Sequence, residues 1–420
     1  MEVKLALPFK TRSKELQTVK ILFVHERFGA LGGAEVNILA TAEALLDRGH
    51  ETGLLHGPGT GKEEDAWLHT FPSRFQYDKT SCGRAALSLA MHQFKPDVIF
   101  LHKMADPVLM AALAENPVPV VRMIHDHDLI CMRSYRYSPF SRNICTRPTS
   151  GWCVFPCGAC ITRNNKPGMP LKWVSYTAKK QEIALNRKLT ALIVASRYMK
   201  GELVLNGFSP DQISIHAPVP RPTGGAFESS FDSRNLLVYS GQIIRGKGVD
   251  VLLESLAKIT THFEAVIIGD GNHRAHCERL SRRLGLNHRV HFTGFVPQSE
   301  LKIYHRTASV AVVSSVWPEP FGAVGLEAMR CGLPVVGFES GGIGEWLIDG
   351  ETGYLVPWMD REQYAGRIEA LLRNKKLART MGENGRELSE RRFSFAAYIR
   401  ELESLLVRTA HARPILLPSS

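Results

Sequence analysis

Short apolar runs recur along the chain. Each is followed by a polar or glycine-rich turn and then by apolar residues at helical spacing. The first run, KILFVH from Lys20 to His25, predicts a buried strand. It leads through FGALGGAE into an amphipathic helix up to about Arg48, with Ile38, Ala42, Leu45 and Leu46 on one face. Gly49 and His50 end that helix. Next come a strand from Thr52 to His56, a polar loop and a helix near Arg84 to Phe94. The strand DVIFLH (Asp97 to His102), a helix near Asp106 to Glu115 and the strand VPVVRMIH (Val118 to His125) follow. Strands alternating with helices predict a parallel sheet with right-handed crossovers.

The rhythm breaks from His127 to about Pro170, a stretch of Cys, Pro, Gly and aromatic residues. Loops of this length are uncommon in compact domains and are often functional, so 128–170 reads as an insertion. Alternation resumes with a helix near Lys172 to Lys188, the strand ALIVAS, a helix from about Arg197 to Asn206 and the strand QISIHA. The Pro-, Gly- and Ser-rich segment from Pro218 to Ser233 predicts a linker. A second alternating set follows, with strands LLVYSG, EAVIIGD, RVHFTG, SVAVVSS and LPVVGF and helices from Val249, Arg274, Gln298 and Gly322. At the C-terminus, Phe395, Tyr398, Ile399, Leu402, Leu405 and Leu406 form one apolar helical face, suited to packing back on the first domain. The expected organisation is a domain at 1–217, a linker at 218–234, a second domain at 235–392 and a crossover helix with tail at 393–420. Both domains are α/β and doubly wound. In such sheets ligands bind outside the carboxyl ends of the strands, which places the chemistry in a cleft between the domains.

Composition fits this picture. The chain has 420 residues, 44% of them hydrophobic and 22% charged, which excludes a disordered tail, a collagen-like repeat and a disulfide scaffold. No run approaches the ~20 uncharged apolar residues that span a bilayer. The quietest, Ala308 to Leu326, is broken by Pro318, Glu319 and Pro320. The N-terminal apolar patch is shorter than a secretory core, so a cytoplasmic chain is expected. The net charge of +11 suits an anionic partner: a phosphorylated small molecule, nucleic acid or an acidic membrane face. Lys4, Lys10, Arg12, Lys14 and Lys20 are candidates for lipid head groups, with a solvated leader as the alternative. Five of the eight cysteines fall between Cys131 and Cys160. Four thiolates can hold a structural Zn²⁺, and Cys145, Cys153, Cys157 and Cys160 are the candidate set. Free buried thiols are the alternative.

The segment from Ser314 to Gly353 carries the strongest chemical signal. Glu319 lies in a proline-bounded loop at a strand end, and Gly322 opens a helix whose free N–H groups suit an anion. Glu327 lies five residues past Gly322, about 7.5 Å further along the helix. Two carboxylates flanking an anion site suit a ligand with hydroxyls on both sides of a phosphate, as in a nucleotide sugar. The loop SGQIIRGKGVD, Ser240 to Asp250, offers Arg245 and Lys247 beside a second strand end. Cations there stabilise charge on a leaving diphosphate, an effect worth ~3–4 kcal/mol for one such contact. In FGALGGAE, Gly32 and Gly33 permit close backbone approach. In MIHDHDLIC, His125 ends a strand. The adjoining Asp126-His127-Asp128 formally reads as a metal–diphosphate DxD and is taken as coincidental.

EPFG, GLEAM, CGLPVV, SGGIGE and DGETG, with the glutamates of the first two, resemble the C-terminal signature of the family-4 retaining glycosyltransferases. The resemblance implies a GT-B fold, two Rossmann-like domains facing each other across a cleft. It implies that Glu319 contacts the donor sugar and Glu327 the ribose, and that the amides of Phe321 and Gly322 face the sugar and diphosphate. It places Lys247 on the diphosphate and His125 at the sugar. Gly32 and Gly33 would face donor phosphate and acceptor, Gly271 the nucleotide, and backbone near Val296 the base. The family's arginine after the first glycine is Gln242 here, with Arg245 as a candidate substitute. The implied activity is metal-independent front-face transfer that requires no cofactor. The donor is UDP-, GDP- or ADP-linked, and the chain's positive charge, rather than the resemblance, suggests a glycan or lipid-linked hydroxyl as acceptor and peripheral contact at an anionic inner membrane face; no nucleic acid partner is expected. A GT-B nucleotide-sugar epimerase and a catalytically silent GT-B scaffold are the alternatives.

Overall fold

Among the described residues, nine strands in the first half and six in the second carry the alternation into three sheets. The first half has β1 Lys20–His25, β2 Glu51–His56, β3 Ser73–Gln76, β4 Val98–Leu101, β5 Val120–Ile124, β6 Ile161–Arg163, β7 Leu171–Trp173, β8 Ala191–Val194 and β9 Ile213–Ile215. The second has β10 Leu236–Ser240, β11 Glu264–Ile268, β12 Val290–Gly294, β13 Val310–Val313, β14 Val335–Phe338 and β15 Gly353–Val356. The structure is a computed structural model that describes residues 17–29, 32–77, 83–138, 140–163, 171–221, 229, 231 and 235–412. Lys4, Lys10, Arg12 and Lys14 lie outside the described residues, as does most of the linker.

The first sheet runs β3-β2-β1-β4-β5-β8-β9 and the second β12-β11-β10-β13-β14-β15, both parallel throughout. Strands buried on both faces explain the unbroken apolar runs: β4 reads VIFL and β13 VAVV, with every residue buried. In each sheet the order reverses direction beside the first strand, at β1/β4 and at β10/β13. These are the switch points where loops splay apart and leave a crevice.

Some elements differ from expectation. The loop after β2 contains the helix Glu64–Thr70 and leads to the edge strand β3. Trp67 and Phe71, both fully buried, hold that excursion against β1. The insertion carries an antiparallel hairpin, β6 with β7, and a 3₁₀ turn at Gly151–Cys153. The expected helix from Lys172 starts instead at Tyr176, after Ser175 accepts a bond from the Ala178 amide, and Lys172 belongs to β7. Past β14 come β15 and the helices Arg361–Arg373 and Lys375–Arg392.

The terminal helix Phe395–His411 crosses back to the first domain. Tyr398 Oη lies 3.3 Å from Asn37 Oδ1 and 3.4 Å from Thr41 Oγ1. The buried Glu403 carboxylate accepts from Arg48 Nε at 2.8 Å and meets His50 Nε2 at 3.0 Å. Among the described residues no helix is long and apolar enough to cross a membrane.

Candidate active site

The loops after β10 and β13 meet at one ion pair. Glu319 is 4% exposed, and its Oε1 accepts from Lys247 Nζ at 2.6 Å and from Trp317 Nε1 at 2.9 Å. Ser315 Oγ donates to the same oxygen. These donors satisfy an oxygen that burial cuts off from water. The Lys247 ammonium also sits 5.3 Å over the Trp317 ring. Lys247 closes the 3₁₀ turn Arg245–Lys247, and Ser314 Oγ donates to its carbonyl at 2.9 Å. Gly248 follows at φ +67°, where a Cβ would lie 2.1 Å from the Ser314 carbonyl oxygen. Only glycine lets the lysine loop turn this tightly against β13's exit.

Gly322 is left-handed, at φ 81°, and caps the helix Ala323–Arg330 that carries Glu327. Two contacts fix this turn. Trp346, fully buried, donates Nε1–H to the Phe321 carbonyl at 2.7 Å. Ser196, at the end of β8 in the other domain, donates to the Pro320 carbonyl at 2.6 Å. Beside it the Arg197 amide donates to Glu345 Oε1 at 2.8 Å, so β8's exit is bonded both to the Glu319 loop and to the 3₁₀ turn Gly342–Glu345 after β14. Gly271 and Val296 lie in the loops after β11 and β12. Gly269 N–H donates to the Gly294 carbonyl at 2.8 Å, and Ile243 N–H to the Asp270 carbonyl at 2.8 Å, stitching three strand exits into one floor.

Across the cleft, Gly32 caps the helix Gly33–Leu46 and donates N–H to Glu35 Oε2 at 3.0 Å. The other oxygen of Glu35 lies 3.4 Å from His25 Nε2. Burial raises the Glu35 carboxyl, but the hydrogen bonds from His25 and the backbone outweigh it and hold the pKa below its ordinary value. His125, at β5's exit, pairs its Nε2 with His102 Nδ1 at 3.0 Å. Burial, then the charge on His25, pushes His125 down to about 3, so its imidazole is neutral at pH 7. His127 is fully buried against Tyr198 and Trp317 and is also pushed down to about 3, chiefly by burial. His125 keeps partial exposure at the cleft. That separates two histidines which the sequence alone leaves easy to confuse.

These histidines predict an acid-labile fold. A free histidine titrates near ~6.5. Below that value the unfolded chain binds protons that buried His102, His125 and His127 refuse, so stability present above pH 6.5 is lost as pH falls toward 3. His125 and His127 each contribute on the order of 1–2 kcal/mol of this loss by pH 5, and His102 acts in the same direction. The expected result is a Tm that drops steeply between pH 7 and pH 5 in scanning calorimetry. A flat Tm over that window would show that the histidines protonate in place.

The insertion completes the site from above. Arg142 grips Asp250 with both guanidinium nitrogens, one at 3.2 Å, and both side chains are about a tenth exposed. The Phe140 carbonyl accepts from Arg245 Nη2 at 3.3 Å. Tyr135 packs its ring 6.0 Å from that of Trp317. Arg245 therefore faces the insertion, whereas Lys247 faces Glu319. Sequence reasoning missed Arg142, Ser196, Trp317 and Trp346 as parts of this neighbourhood. Trp317 and Trp346 stood within the signature segment, and Ser196 stood at a strand end. Arg142 had no local signal, because its partner is 108 residues away.

Burial raises the Cys153 thiol, and the charges of nearby Cys131, Cys157 and Cys145 add to the rise. Cys153, Cys157 and Cys160 belong to a small apolar cluster with Met132 and Ala159, and the Cys160 thiol donates to the Val154 carbonyl at 3.7 Å. The Cys145 thiol lies 3.7 Å from Arg136 Nη1. Among the described residues, the one group of three that brings ligand atoms within 4.8 Å of one another is Asp250, His273 and His276. Its carboxylate already holds Arg142.

The family described as Glycosyl transferases group 1 matches residues 226–388, and Glycosyltransferase Family 4 matches residues 31–218. A lipopolysaccharide core biosynthesis glycosyltransferase of Rhizobium meliloti is 26% identical over 374 residues, covering 88% of this chain and 94% of that one. A D-inositol 3-phosphate glycosyltransferase of Corynebacterium diphtheriae is 31% identical over 47% of this chain and 51% of its own length. The match spans 57% of an uncharacterized glycosyltransferase of Methanocaldococcus jannaschii and 44% of another, so the chain spans about half the length of these curated relatives. Anabaena HepE, solved in complex with UDP and glucose, superposes with a TM-score of 0.69 at 19% identity, covering 93% of this chain and 100% of that one.

Proposed function

We propose a specific reaction for this chain, which belongs to the GT-B glycosyltransferases of group 1 and family 4: retaining transfer of a sugar from a nucleotide-diphosphate donor to a hydroxyl of a glycan or lipid-linked acceptor. The observation that carries it is the Lys247–Glu319 pair, buried where two strand exits meet and next to the open helix start at Gly322. With donor bound, Lys247 turns from Glu319 to the diphosphate, and Glu319 is released to accept hydroxyls of the sugar. The amides of Phe321 and Gly322 hold the phosphate oxygens, and Glu327 accepts the ribose hydroxyls. Gly271 and Val296 bound the nucleotide, and Arg245 borders the diphosphate loop beneath the insertion. Gly32 and Gly33 close the opposite wall. His125, neutral at pH 7, offers a hydrogen bond to the sugar without adding charge.

As the glycosidic bond breaks, its electron pair stays on the phosphate oxygen, and the charge is met by Lys247 and the helix start. That oxygen takes the proton of the incoming hydroxyl on the same face, which retains the anomeric configuration. No cofactor or metal enters this sequence of steps, and we place it in the cytoplasm. HepE's bound UDP makes UDP the first donor base to test.

A thermal-shift screen of UDP, GDP and ADP sugars tests the donor, since a ligand bound to the folded state raises Tm with concentration. Product anomer by NMR, with and without EDTA, tests retention and metal independence. An inverted product, or activity abolished by EDTA, would overturn those parts. Sugar isomerisation without transfer would select the epimerase reading. For Glu327→Ala, titration of UDP by calorimetry should show weaker binding, and unchanged affinity would remove Glu327 from the ribose. A structural zinc on Cys145, Cys153, Cys157 and Cys160 requires those thiols to converge further than they do here. Metal analysis of the purified protein decides it: one equivalent of zinc supports the site, and none removes it.

A further inference from the structure

Two adjacent peptide planes lead into the helix Ala323–Arg330, and each is held by its carbonyl. Ser196 Oγ donates to the Pro320 carbonyl at 2.6 Å, and Trp346 Nε1 donates to the Phe321 carbonyl at 2.7 Å. In a planar trans peptide the C=O and the next residue's N–H point in opposite directions, and among the described residues no peptide is cis. A donor that fixes the carbonyl therefore fixes where that N–H points. Ser196 sets the direction of the Phe321 amide, and Trp346 that of the Gly322 amide. Among the described residues neither amide donates to a protein acceptor. Both stand at the open start of the helix, where an anion is favoured.

The Ser196 hydroxyl has a single proton, and its surroundings direct it. Its oxygen caps the helix Arg197–Leu205 by accepting from the Met199 amide at 3.1 Å, which leaves the O–H for Pro320. Ser196 is fully buried, so no water competes for that proton. A Cβ at Gly342 would fall 3.0 Å from Ser196 Oγ and 2.6 Å from the Pro320 oxygen, so only glycine leaves this approach open.

The second carbonyl is also tied to the exit of β8. Arg197 donates its amide to Glu345 Oε1 and brings its guanidinium 3.1 Å from Glu345 Oε2. Trp346 directly follows Glu345, so the residue that carries the indole is anchored to the first domain as well.

We infer that Ser196 is a positioning residue for the donor's diphosphate: from the first domain it aims the Phe321 amide of the second, and beside it Arg197 steadies the turn that aims the Gly322 amide. Ser196 itself touches no donor atom. The inference rests on the donor reading proposed above. A hydrogen bond at a carbonyl also polarises its peptide, strengthening the opposite N–H by about 10–30%. The phosphate-binding amides are thus fully oriented only while the two domains are in contact. Linkage makes the effect reciprocal, so a diphosphate on these amides strengthens the interdomain bond as much as the bond strengthens its binding.

Ser196→Gly removes the hydroxyl while glycine, a tolerated helix cap, keeps the extended backbone of that position. Ser196→Cys fills the same space with a weaker donor. Wild type and both variants are titrated by calorimetry with UDP, GDP and ADP, and with the nucleoside of whichever binds, after their Tm values confirm folding. Ser196→Gly should bind the nucleoside diphosphate about tenfold more weakly than wild type and the nucleoside equally well. Ser196→Cys should show the same split to a smaller degree, and it carries the test if the glycine variant does not fold. Unchanged affinity for the diphosphate would overturn the inference. So would equal losses for diphosphate and nucleoside, which would mark a general loosening of the cleft. A wild-type chain that binds none of the three diphosphates would sink the donor reading and this inference with it, whereas wild-type binding that the variants leave unmoved would sink this inference alone.

Discussion

Replacing Lys247 with alanine is expected to lower kcat ~100-fold or more, against only a small loss for Arg245→Ala. Both cations leave the same short turn after β10, yet they point to different partners. Lys247 reaches 2.6 Å from Glu319 Oε1, at the centre of the strand exits, whereas Arg245 reaches the Phe140 carbonyl of the insertion. Charge on a departing diphosphate grows as the bond breaks, so a cation that meets it stabilises the transition state more than the bound donor. Loss of Lys247 should therefore fall on kcat more than on KM. It also leaves Glu319 with two neutral donors, Trp317 and Ser315, so Tm must be measured alongside. The double variant Lys247→Ala, Glu319→Ala closes a cycle: residues that act as a unit give losses far short of additive. Equal losses for Lys247→Ala and Arg245→Ala would mean that the diphosphate is shared between them. A larger loss at Arg245 would move the anchor to the insertion side.

The two parallel sheets were legible because their strands are apolar on both faces and their helices carry one apolar stripe, so period and length reveal them without a partner. The excursion from Glu64 to Gln76 was not, because a seven-residue helix and an edge strand have too few positions to show a period. Trp67 and Phe71 are held by β1, a contact that no local pattern encodes. The same division runs through the site. Lys247, Glu319 and Gly322 lie in turns whose glycines and prolines mark them in sequence, and the structure brings them to one place. What they touch was not legible. The Lys247–Glu319 pair spans 72 residues, and the Ser196–Pro320 bond spans 124 and joins two domains. The insertion showed as a break in rhythm, but its hairpin register and its grip on Asp250 depend on packing that only the folded chain supplies.

That grip leads to the second large effect: Arg142→Ala is expected to destabilise the protein by ~3–5 kcal/mol in urea unfolding at pH 7. The guanidinium and the Asp250 carboxylate are each about nine-tenths buried, and removal of one leaves the other as a charge in a dry interface. His273, 3.6 Å from Asp250, is too weakly basic at pH 7 to replace an arginine, since burial lowers its pKa. The dependence on pH has a defined sign. Burial raises the Asp250 carboxyl, but its bonds to Arg142, with the charges of Arg142 and His273, hold it below its ordinary value. The stability it confers is thus present above pH ~4 and lost as pH falls through the lower folded value. In Arg142→Ala the carboxyl rises instead, and protonation relieves the buried charge. The stability gap between wild type and variant should therefore narrow as pH falls from 7 toward 4. Arg142→Met with Asp250→Leu removes both charges and should recover most of the loss, because a buried pair replaced by apolar groups of similar volume is often neutral. A deficit below about 1 kcal/mol for Arg142→Ala, or one that does not change with pH, would show that water reaches Asp250 and that the insertion is not latched to the second domain.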